Sequence, residues 1–212
     1  MIGTKEMKEI DEYAIKAIGI PSIVLMERAS LQVLKNIDLD INQSFVIICG
    51  VGNNGGDGLA LGRHLYLSGK VVDVFIVGEK DKGTTDFLIN LNILNNLHMN
   101  IQWIINHADV EKLKIHLNQV DMIIDSIFGI GLTRRVEGIF FHVIEAINTS
   151  KKYVLSMDIP SGLNGDTGEV MGISVIADIT VTFHEIKIGL DSNREYSGRI
   201  LVEDIGIPRI KI

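Results

Sequence analysis

The sequence contains a single cysteine, Cys49, among its 212 residues, so no disulfide framework can form within the chain. Cys49 ends an apolar stretch, and a lone cysteine in that setting is typical of a small buried hydrophobic residue rather than a reactive nucleophile. A protein without disulfides suits a reducing compartment. We therefore expect a cytoplasmic protein.

Long apolar runs and concentrated positive charge are also missing. No stretch approaches the roughly 18 apolar residues that a membrane span needs, and residues 4–9 are too charged for the apolar core of a signal peptide. The 20 lysines and arginines are scattered and are outnumbered by 27 acidic residues, which gives a net charge of −7. A nucleic-acid backbone needs a concentrated basic face, so neither a membrane nor a nucleic acid is expected as a partner.

The chain also lacks internal repeats, low-complexity tracts and linkers rich in proline and serine. Its 46% hydrophobic and 22% charged residues are typical of a folded globular protein. At this length we predict a single domain that spans residues 1–212.

The hydrophobic pattern begins with two helices and then alternates between apolar strands and helices. Thr4 is expected to cap a helix that Gly19 ends, and Pro21 to open a second helix to about Ile37. Nearly all-apolar strands separated by helices indicate a parallel sheet covered on both faces. The predicted fold is α/β, a three-layer Rossmann-like and mostly parallel sheet with two extra N-terminal helices. Strands are expected near 44–49, 71–77, 100–105, 121–125 and 153–157, and shorter apolar runs follow near 178–183 and 199–204. The later helices are expected near 58–68, 84–97, 109–118 and 137–148.

Residues 45–58 carry the most informative motif, an apolar strand that runs into a turn with five glycines. Such a strand–turn–helix exposes backbone N–H groups and the positive end of a helix dipole, which favours a phosphate-bearing ligand over an empty turn. Gly50, Gly52 and Gly55 satisfy the dinucleotide fingerprint, and Glu79 is a candidate to hold the ribose. The motif is not a P-loop, because no Lys-Ser or Lys-Thr follows the glycines.

Polar side chains follow two further strands. Asp125 ends the strand near 121–125, and Asp158 follows the strand near 153–157. In open parallel sheets the ligand lies beyond the carboxyl ends of the strands, near the point where the strand order reverses. We therefore expect both acids to converge with Asn53, Asn54 and Asp57 of the glycine turn. These side-chain oxygens point to chemistry, or to a cation, beside the phosphates.

Five segments together resemble the YjeF N-terminal domain family over essentially the whole chain. They are IPSIVLME at residues 20–27, GNNGGDG at 52–58, DSIFGIGL at 125–132, DIPSGL at 158–163 and DIGIP at 204–208. The enzyme members of this family are NAD(P)H-hydrate epimerases. The resemblance implies an isomerase that interconverts the R and S hydrates of NADH and NADPH at C6 of the nicotinamide ring. It would supply the S epimer to a separate dehydratase, and it would need no redox cofactor.

The resemblance also implies roles for individual residues. Asp158 matches the family acid/base, and the alternative is an aspartate that only bonds turn amides. Lys187 matches a family lysine near the site, against the alternative of a solvated surface lysine. One potassium ion per subunit is implied, held by Asn54, Asp125 and Ser161, whose hard oxygen donors suit such a cation. The implied substrate-binding residues are Asn53, Asn54, Gly55, Gly56, Asp57, Gly129, Ile130, Gly131, Leu132, Thr133, Arg134, Arg135 and Asp158; for Arg135 a solvated charge is the alternative.

The chain departs from the usual family pattern in the second predicted helix. Arg28 and Ser30 stand where the family usually has asparagine and glycine, and Arg28 is expected to alter substrate preference or to mark a member that binds without turnover. The principal alternative function is a non-catalytic nucleotide- or protein-binding scaffold of the same fold. A dehydrogenase is a more distant alternative, since no substrate domain is identifiable. A homodimer is common in the family.

Overall fold

The computed structural model describes residues 1–208 and contains one seven-stranded sheet in which every pairing of neighbouring strands is parallel. The strand order is β3-β2-β1-β4-β5-β6-β7. The chain thus builds outward from β1 in one direction and then returns to add β4 on the other side of β1. This reversal is the topological switch at which α/β sheets bind ligands. The strands are β1 Ser44–Cys49, β2 Val71–Val77, β3 Asn100–Ile104, β4 Met122–Ser126, β5 Tyr153–Met157, β6 Ile179–Phe183 and β7 Arg199–Glu203.

Helices cover both faces of the sheet. Successive strand residues point to opposite faces, so Phe45 and Ile47 of β1 pack against the first four helices, whereas Val46 and Ile48 pack against the fifth and sixth. The helices are α1 Thr4–Tyr13, α2 Ser22–Lys35, α3 Asn53–Leu67, α4 Thr85–Asn96, α5 His107–Leu117, α6 Ile139–Ser150, α7 Ile188–Ser192 and α8 Arg194–Ser197. The predicted three-layer Rossmann-like fold is confirmed, and the sheet within residues 1–208 is parallel throughout rather than mostly parallel.

The main error in the predicted elements concerns the glycine turn. Helix α3 begins at Asn53, five residues before the predicted start, so most of the glycine-rich segment is itself the first turn of the helix. Glycines let that turn press against the end of β1. A Cβ atom on Gly55 would lie 1.8 Å from the carbonyl oxygen of Gly50, and one on Gly50 would lie 2.1 Å from the carbonyl oxygen of Ile127. No other residue type fits this contact without backbone movement.

The N-terminal segment differs from expectation in its cap and in its last turn. The cap of α1 is Gly3, and Thr4 is the first helical residue, whose hydroxyl donates a hydrogen bond to Asp166 (2.6 Å). Helix α1 continues into a π-helical turn, Ala14–Ile18, and the left-handed Gly19 (φ +84°) ends it as predicted. Such π turns are rare and occur often beside functional sites.

Two expectations from composition can be compared with the structure. Cys49 is fully buried, and burial raises the pKa of its thiol, which confirms the prediction of an inert buried cysteine. Within residues 1–208, the helices are all too short or too polar to cross a membrane. The predicted domain of residues 1–212 includes residues 209–212, which lie outside the described part of the chain.

Candidate functional site

A cleft of about 820 Å³ lies at the carboxyl ends of β1, β4 and β5, across the topological switch. Its walls include residues 50–54 after β1, residues 127–134 after β4, and Asp158, which directly follows β5. The volume is within the range of ligand sites in proteins, roughly 300–1,000 Å³. The predicted convergence of the three strand ends on one cavity is thus observed for these segments.

The first turn of α3 forms one wall of the cleft. Its cap residue, Gly52, contributes no side-chain acceptor, so within residues 1–208 no side-chain cap occupies the first N–H groups of this fifteen-residue helix. These groups and the helix dipole favour an anion at this end. Asn53 is exposed at the cleft, whereas Gly55 and Gly56 are buried beneath it and do not line it.

Asp158 and Lys187 form a buried ion pair in the floor of the cleft. The Lys187 ammonium is 1% exposed and donates hydrogen bonds to Asp158 Oδ1 (2.5 Å), to Thr182 Oγ1 (3.0 Å) and to the carbonyl oxygen of Phe183 (2.7 Å). The alternative of a solvated surface lysine is therefore wrong. Asp158 has φ +65°, in the left-handed region, which aspartate adopts more readily than most residues and which His98, Lys151 and His184 also adopt.

The second carboxylate oxygen of Asp158 is directed at the loop after β4. Oδ2 would lie 3.5 Å from a Cβ atom built on Gly129. Thr182 also donates to Oδ1 (3.2 Å), so the hydrogen bonds to this carboxylate within residues 1–208 converge on Oδ1. Oδ2 is the oxygen left to face a ligand.

Asp125 is fully buried behind the cleft wall and is tied to the loop after β5. It accepts hydrogen bonds from the backbone N–H of Ser161 (2.8 Å), the hydroxyl of Ser161 (2.5 Å), the hydroxyl of Ser156 (2.7 Å) and the N–H of Ile127 (3.3 Å). Burial raises the pKa of this carboxyl, and these hydrogen bonds act in the opposite direction. The Ser161 hydroxyl in turn accepts from the N–H of Phe128 (2.8 Å).

Asn54 carries an unsatisfied side-chain amide at the same place. Its amide oxygen and nitrogen are both buried and have no hydrogen-bond partner among residues 1–208, a costly arrangement in a protein interior. The amide lies against Gly129, on which a Cβ atom would be 3.4 Å from Asn54 Cγ. This unpaired oxygen, the Asp125 carboxylate and the Ser161 hydroxyl are the donor types that a hard cation prefers. No group of three or more His, Cys, Asp or Glu side chains suited to a metal ion occurs within residues 1–208.

Two of the other carboxyls that line the cleft have raised pKa values. Burial, followed by the charges of Asp158, Asp11 and Asp86, raises the pKa of Asp57 well above its usual value. Burial also raises the pKa of Asp11 to about 6; the Asp158 charge adds to this shift and Lys187 opposes it. Asp57 was among the predicted residues. Asp11 was not, because it belongs to α1, and only the three-dimensional fold brings that helix to the ends of the strands.

The remaining predicted residues divide between the cleft and its surroundings. Residues 129–134 all line the cleft, whereas Arg135 lies outside the lining, with a side chain that is 73% exposed and 4.0 Å from Glu137.

Arg28 is likewise outside the lining. Its guanidinium Nε lies 3.5 Å from the carbonyl oxygen of Asp204. Helix α1 supplies lining residues that sequence reasoning missed: Met7, Lys8, Asp11 and, in the following π turn, Ile15.

Known proteins resemble the chain over nearly its whole length. The family model described as "YjeF-related protein N-terminus" matches residues 22–189. A protein of Anaerococcus prevotii called NAD(P)H-hydrate epimerase is 43% identical over 209 residues, which are 99% of this chain and 96% of that protein. One of the same name from Lentilactobacillus buchneri is 41% identical, covering 98% of this chain and 95% of its own length. The crystal structure of the yeast protein ynu0 has the same fold, with a TM-score of 0.81, 23% identity, and coverage of 100% of this chain and 90% of that one.

Proposed function

The chain belongs to the family of YjeF-related protein N-termini, and from this premise we propose that it is an NAD(P)H-hydrate epimerase. This isomerase interconverts the R and S hydrates of NADH and NADPH at C6 of the nicotinamide ring. Full-length relatives at 41% and 43% identity carry that name. The reaction neither oxidises nor reduces its substrate, so it requires no redox cofactor.

The observation that carries the proposal is the buried pair of Asp158 and Lys187 at the cleft floor. Placing two charges in a protein interior gives up several kcal/mol of hydration per ion, and an apolar pair would stabilise the fold at least as well. A scaffold that only binds other molecules does not need a buried carboxylate and ammonium at the floor of its cleft, whereas an enzyme that moves protons does. The binding-scaffold alternative is therefore disfavoured.

The geometry assigns the two residues different tasks. Epimerisation at C6 requires either loss and return of water or opening and closure of the ring, and both routes require a group that accepts and returns a proton. Lys187 orients the carboxylate by bonding Oδ1 (2.5 Å), which leaves Oδ2 of Asp158 to exchange a proton with the C6 hydroxyl or with water. Lys187 thus acts as a positioning residue through Asp158.

The dinucleotide part of the substrate suits the rest of the cleft. Its phosphates would suit the N-terminal turn of α3, and Arg134 lines the same cleft, where its guanidinium can pair with phosphate oxygens. Glu79, whose side chain is mostly exposed, lines the cleft and pairs with Lys82 (2.6 Å). At this position Glu79 would bind a ribose hydroxyl and disfavour a 2′-phosphate.

A potassium ion held by Asn54, Asp125 and Ser161 is part of the proposal. The buried unpaired oxygen of Asn54 supports it, because a cation would satisfy that atom. A single carboxylate among the donors suits a monovalent ion better than a divalent one. Bound there, the cation would tie together the loops after β1, β4 and β5 and offset the charge of Asp125.

Potassium binding is tested without activity, by thermal unfolding in sodium or in potassium buffer. A ligand that binds only the folded state raises the melting temperature. We expect potassium to stabilise the wild type and the Asn53→Leu control, but not Asn54→Leu. An equal response of all three proteins would contradict this site.

The compartment, the partner enzyme and the oligomeric state are also part of the proposal. We expect it to work in the cytoplasm, as one domain, alongside a separate dehydratase that removes water from the S hydrate. A homodimer is a further expectation, and the sedimentation velocity of the purified protein measures it.

A coupled assay tests the proposed activity. A dehydratase and its nucleotide are first used to deplete hydrated NADH of the S form, and the purified protein is then added. A renewed rise in the absorbance of reduced nicotinamide, faster than the spontaneous rate, is the expected result. No rise above that rate from the folded protein would return the chain to the class of binding scaffolds.

A further inference from the structure

We propose that Asp11 of α1 is a second catalytic carboxyl, which donates the proton to the hydroxyl that leaves C6, while Asp158 receives the proton of the water that returns on the other face. This inference rests on the proposed epimerase function and assigns an additional residue to the same site.

Asp11 lies at the same cleft as the proposed acid/base. It lines this cleft together with Asp158, Lys187 and Asp57, and it is supplied by helix α1. Its location relative to Lys187 is fixed by the backbone, because Ile2 donates its N–H to the carbonyl of Ile186 (2.9 Å) and accepts from the N–H of Ile188 (3.1 Å). These two bonds join the segment before α1 to both sides of Lys187.

The carboxyls of Asp11 and Asp158 lie in contrasting environments. Asp158 is paired with the Lys187 ammonium at 2.5 Å, an arrangement that suits a carboxylate. The Asp11 carboxyl has no hydrogen bond from residues 1–208, and it is partly removed from water, which raises its pKa to about 6. The charges of Asp158 after β5 and Lys187 before α7 act on it, and its own charge acts on Asp57 of α3; Lys8, Glu79, Lys82, Asp86 and Arg134 also line the cleft. Two carboxyls held in such different environments are the usual arrangement of an acid and a base in one active site.

Inversion at C6 requires one proton to be given and one to be taken. In the first step the C6–O bond breaks, the lone pair of N1 forms an N1=C6 double bond, and the proton of Asp11 goes to the leaving hydroxyl to give water. In the second step water attacks the opposite face of C6, the electron pair returns to N1, and the proton of the attacking water passes to Asp158 Oδ2. A proton transfer from Asp158 to Asp11 through solvent in the open cleft completes the cycle, so no proton or electron is consumed.

Carboxyls on two separate elements, α1 and the segment after β5, would let one ring exchange its hydroxyl on two faces without turning over. The iminium formed in the first step is positively charged, and the carboxylates of the cleft stabilise it. Lys187 is paired with Asp158, so the carboxylate that Asp11 becomes in the first step is the charge left to offset the iminium.

The test uses Asp11→Asn, which keeps the shape of the side chain but cannot donate the same proton, and Asp11→Glu, which can. Glu12→Gln is the matched control, because Glu12 lies on the same helix but is exposed and pairs only with Lys16 within residues 1–208. Circular dichroism verifies folding of each variant. The rate of interconversion, less the spontaneous rate, is measured from pH 5 to 9.

Asp11→Asn is expected to lose about 100-fold or more in kcat, a typical effect of a general acid, with KM within about threefold. The kcat/KM of the wild type is expected to fall as the pH rises through about 6, because Asp11 must hold its proton in the free enzyme. This fall is expected to vanish in Asp11→Asn, to return in Asp11→Glu together with part of the activity, and to be unchanged in Glu12→Gln.

An Asp11→Asn variant within threefold of the wild type, with the same pH profile, would overturn the inference. So would loss of the pH dependence in Asp57→Asn but not in Asp11→Asn, which would make Asp57 the donor. A wild-type protein without any activity overturns the proposed function itself, and the two failures are therefore distinguishable.

Discussion

Removing the buried ammonium of Lys187 should destabilise the fold more than any ordinary surface substitution. In Lys187→Met the side chain keeps most of its length, but Asp158 loses its ion pair and the carbonyl of Phe183 loses one of its two donors, keeping the N–H of Glu185 (2.8 Å). Breaking one partner of a buried pair costs about 3–5 kcal/mol, because the remaining charge is left without compensation. For a chain of this size that cost corresponds to a fall in melting temperature of roughly 6–20 °C.

A double-mutant cycle separates this coupling from the loss of packing. Asp158→Asn leaves Lys187 buried and unpaired, and should cost a similar amount. The double variant removes both charges, so its destabilisation should be smaller than the sum of the two single changes by about 2 kcal/mol or more. Urea unfolding with a common m-value gives the four free energies of unfolding, those of the wild type, the two single variants and the double variant. Single changes whose effects add to within about 0.5 kcal/mol would refute the account of the pair.

Two further predictions concern stability. Gly55→Ala should destabilise the fold by about 3 kcal/mol or more, because the added Cβ would meet the carbonyl oxygen of Gly50. In Gly52→Ala the added Cβ would have nothing within 4 Å, so the free energy of unfolding should change by less than about 1 kcal/mol. Equal urea midpoints for the two variants would contradict this. Burial raises the pKa of Asp11 to about 6, so its contribution to stability is fully present at low pH and is lost, by up to about 3 kcal/mol, as the pH rises through about 6. Asp11→Asn should therefore be more stable than the wild type at pH 8 but not at pH 4, and melting curves at the two pH values measure the difference.

The fold was predictable because its signals are local. Apolar strands separated by amphipathic helices identify a parallel sheet, and the left-handed Gly19 ends the first helix as its position indicated. The rule that ligands lie at the carboxyl ends of strands then selected Asp158 and the turn at Asn53 before any contact was known. The start of α3 was missed because the helix contains the glycines, which usually mark a turn rather than the first turn of a helix.

What the sequence did not reveal depends on contacts between distant segments. Asp11 enters the cleft because Ile2 is hydrogen-bonded on both sides of Lys187, an interaction that spans nearly the whole chain. No periodicity encodes such a contact. The contact of Arg28 with the carbonyl oxygen of Asp204 is also set by tertiary packing and was not readable from the position of Arg28 in a motif.

The most direct test of the account is the rate at which a purified single epimer of hydrated NADH is converted into the other, followed by NMR without any dehydratase. The wild type should bring the two epimers to equilibrium far faster than the spontaneous reaction, and Asp158→Asn should lose that acceleration by about 100-fold or more. A folded Asp158→Asn protein that equilibrates the epimers as fast as the wild type would contradict the central role of this carboxylate.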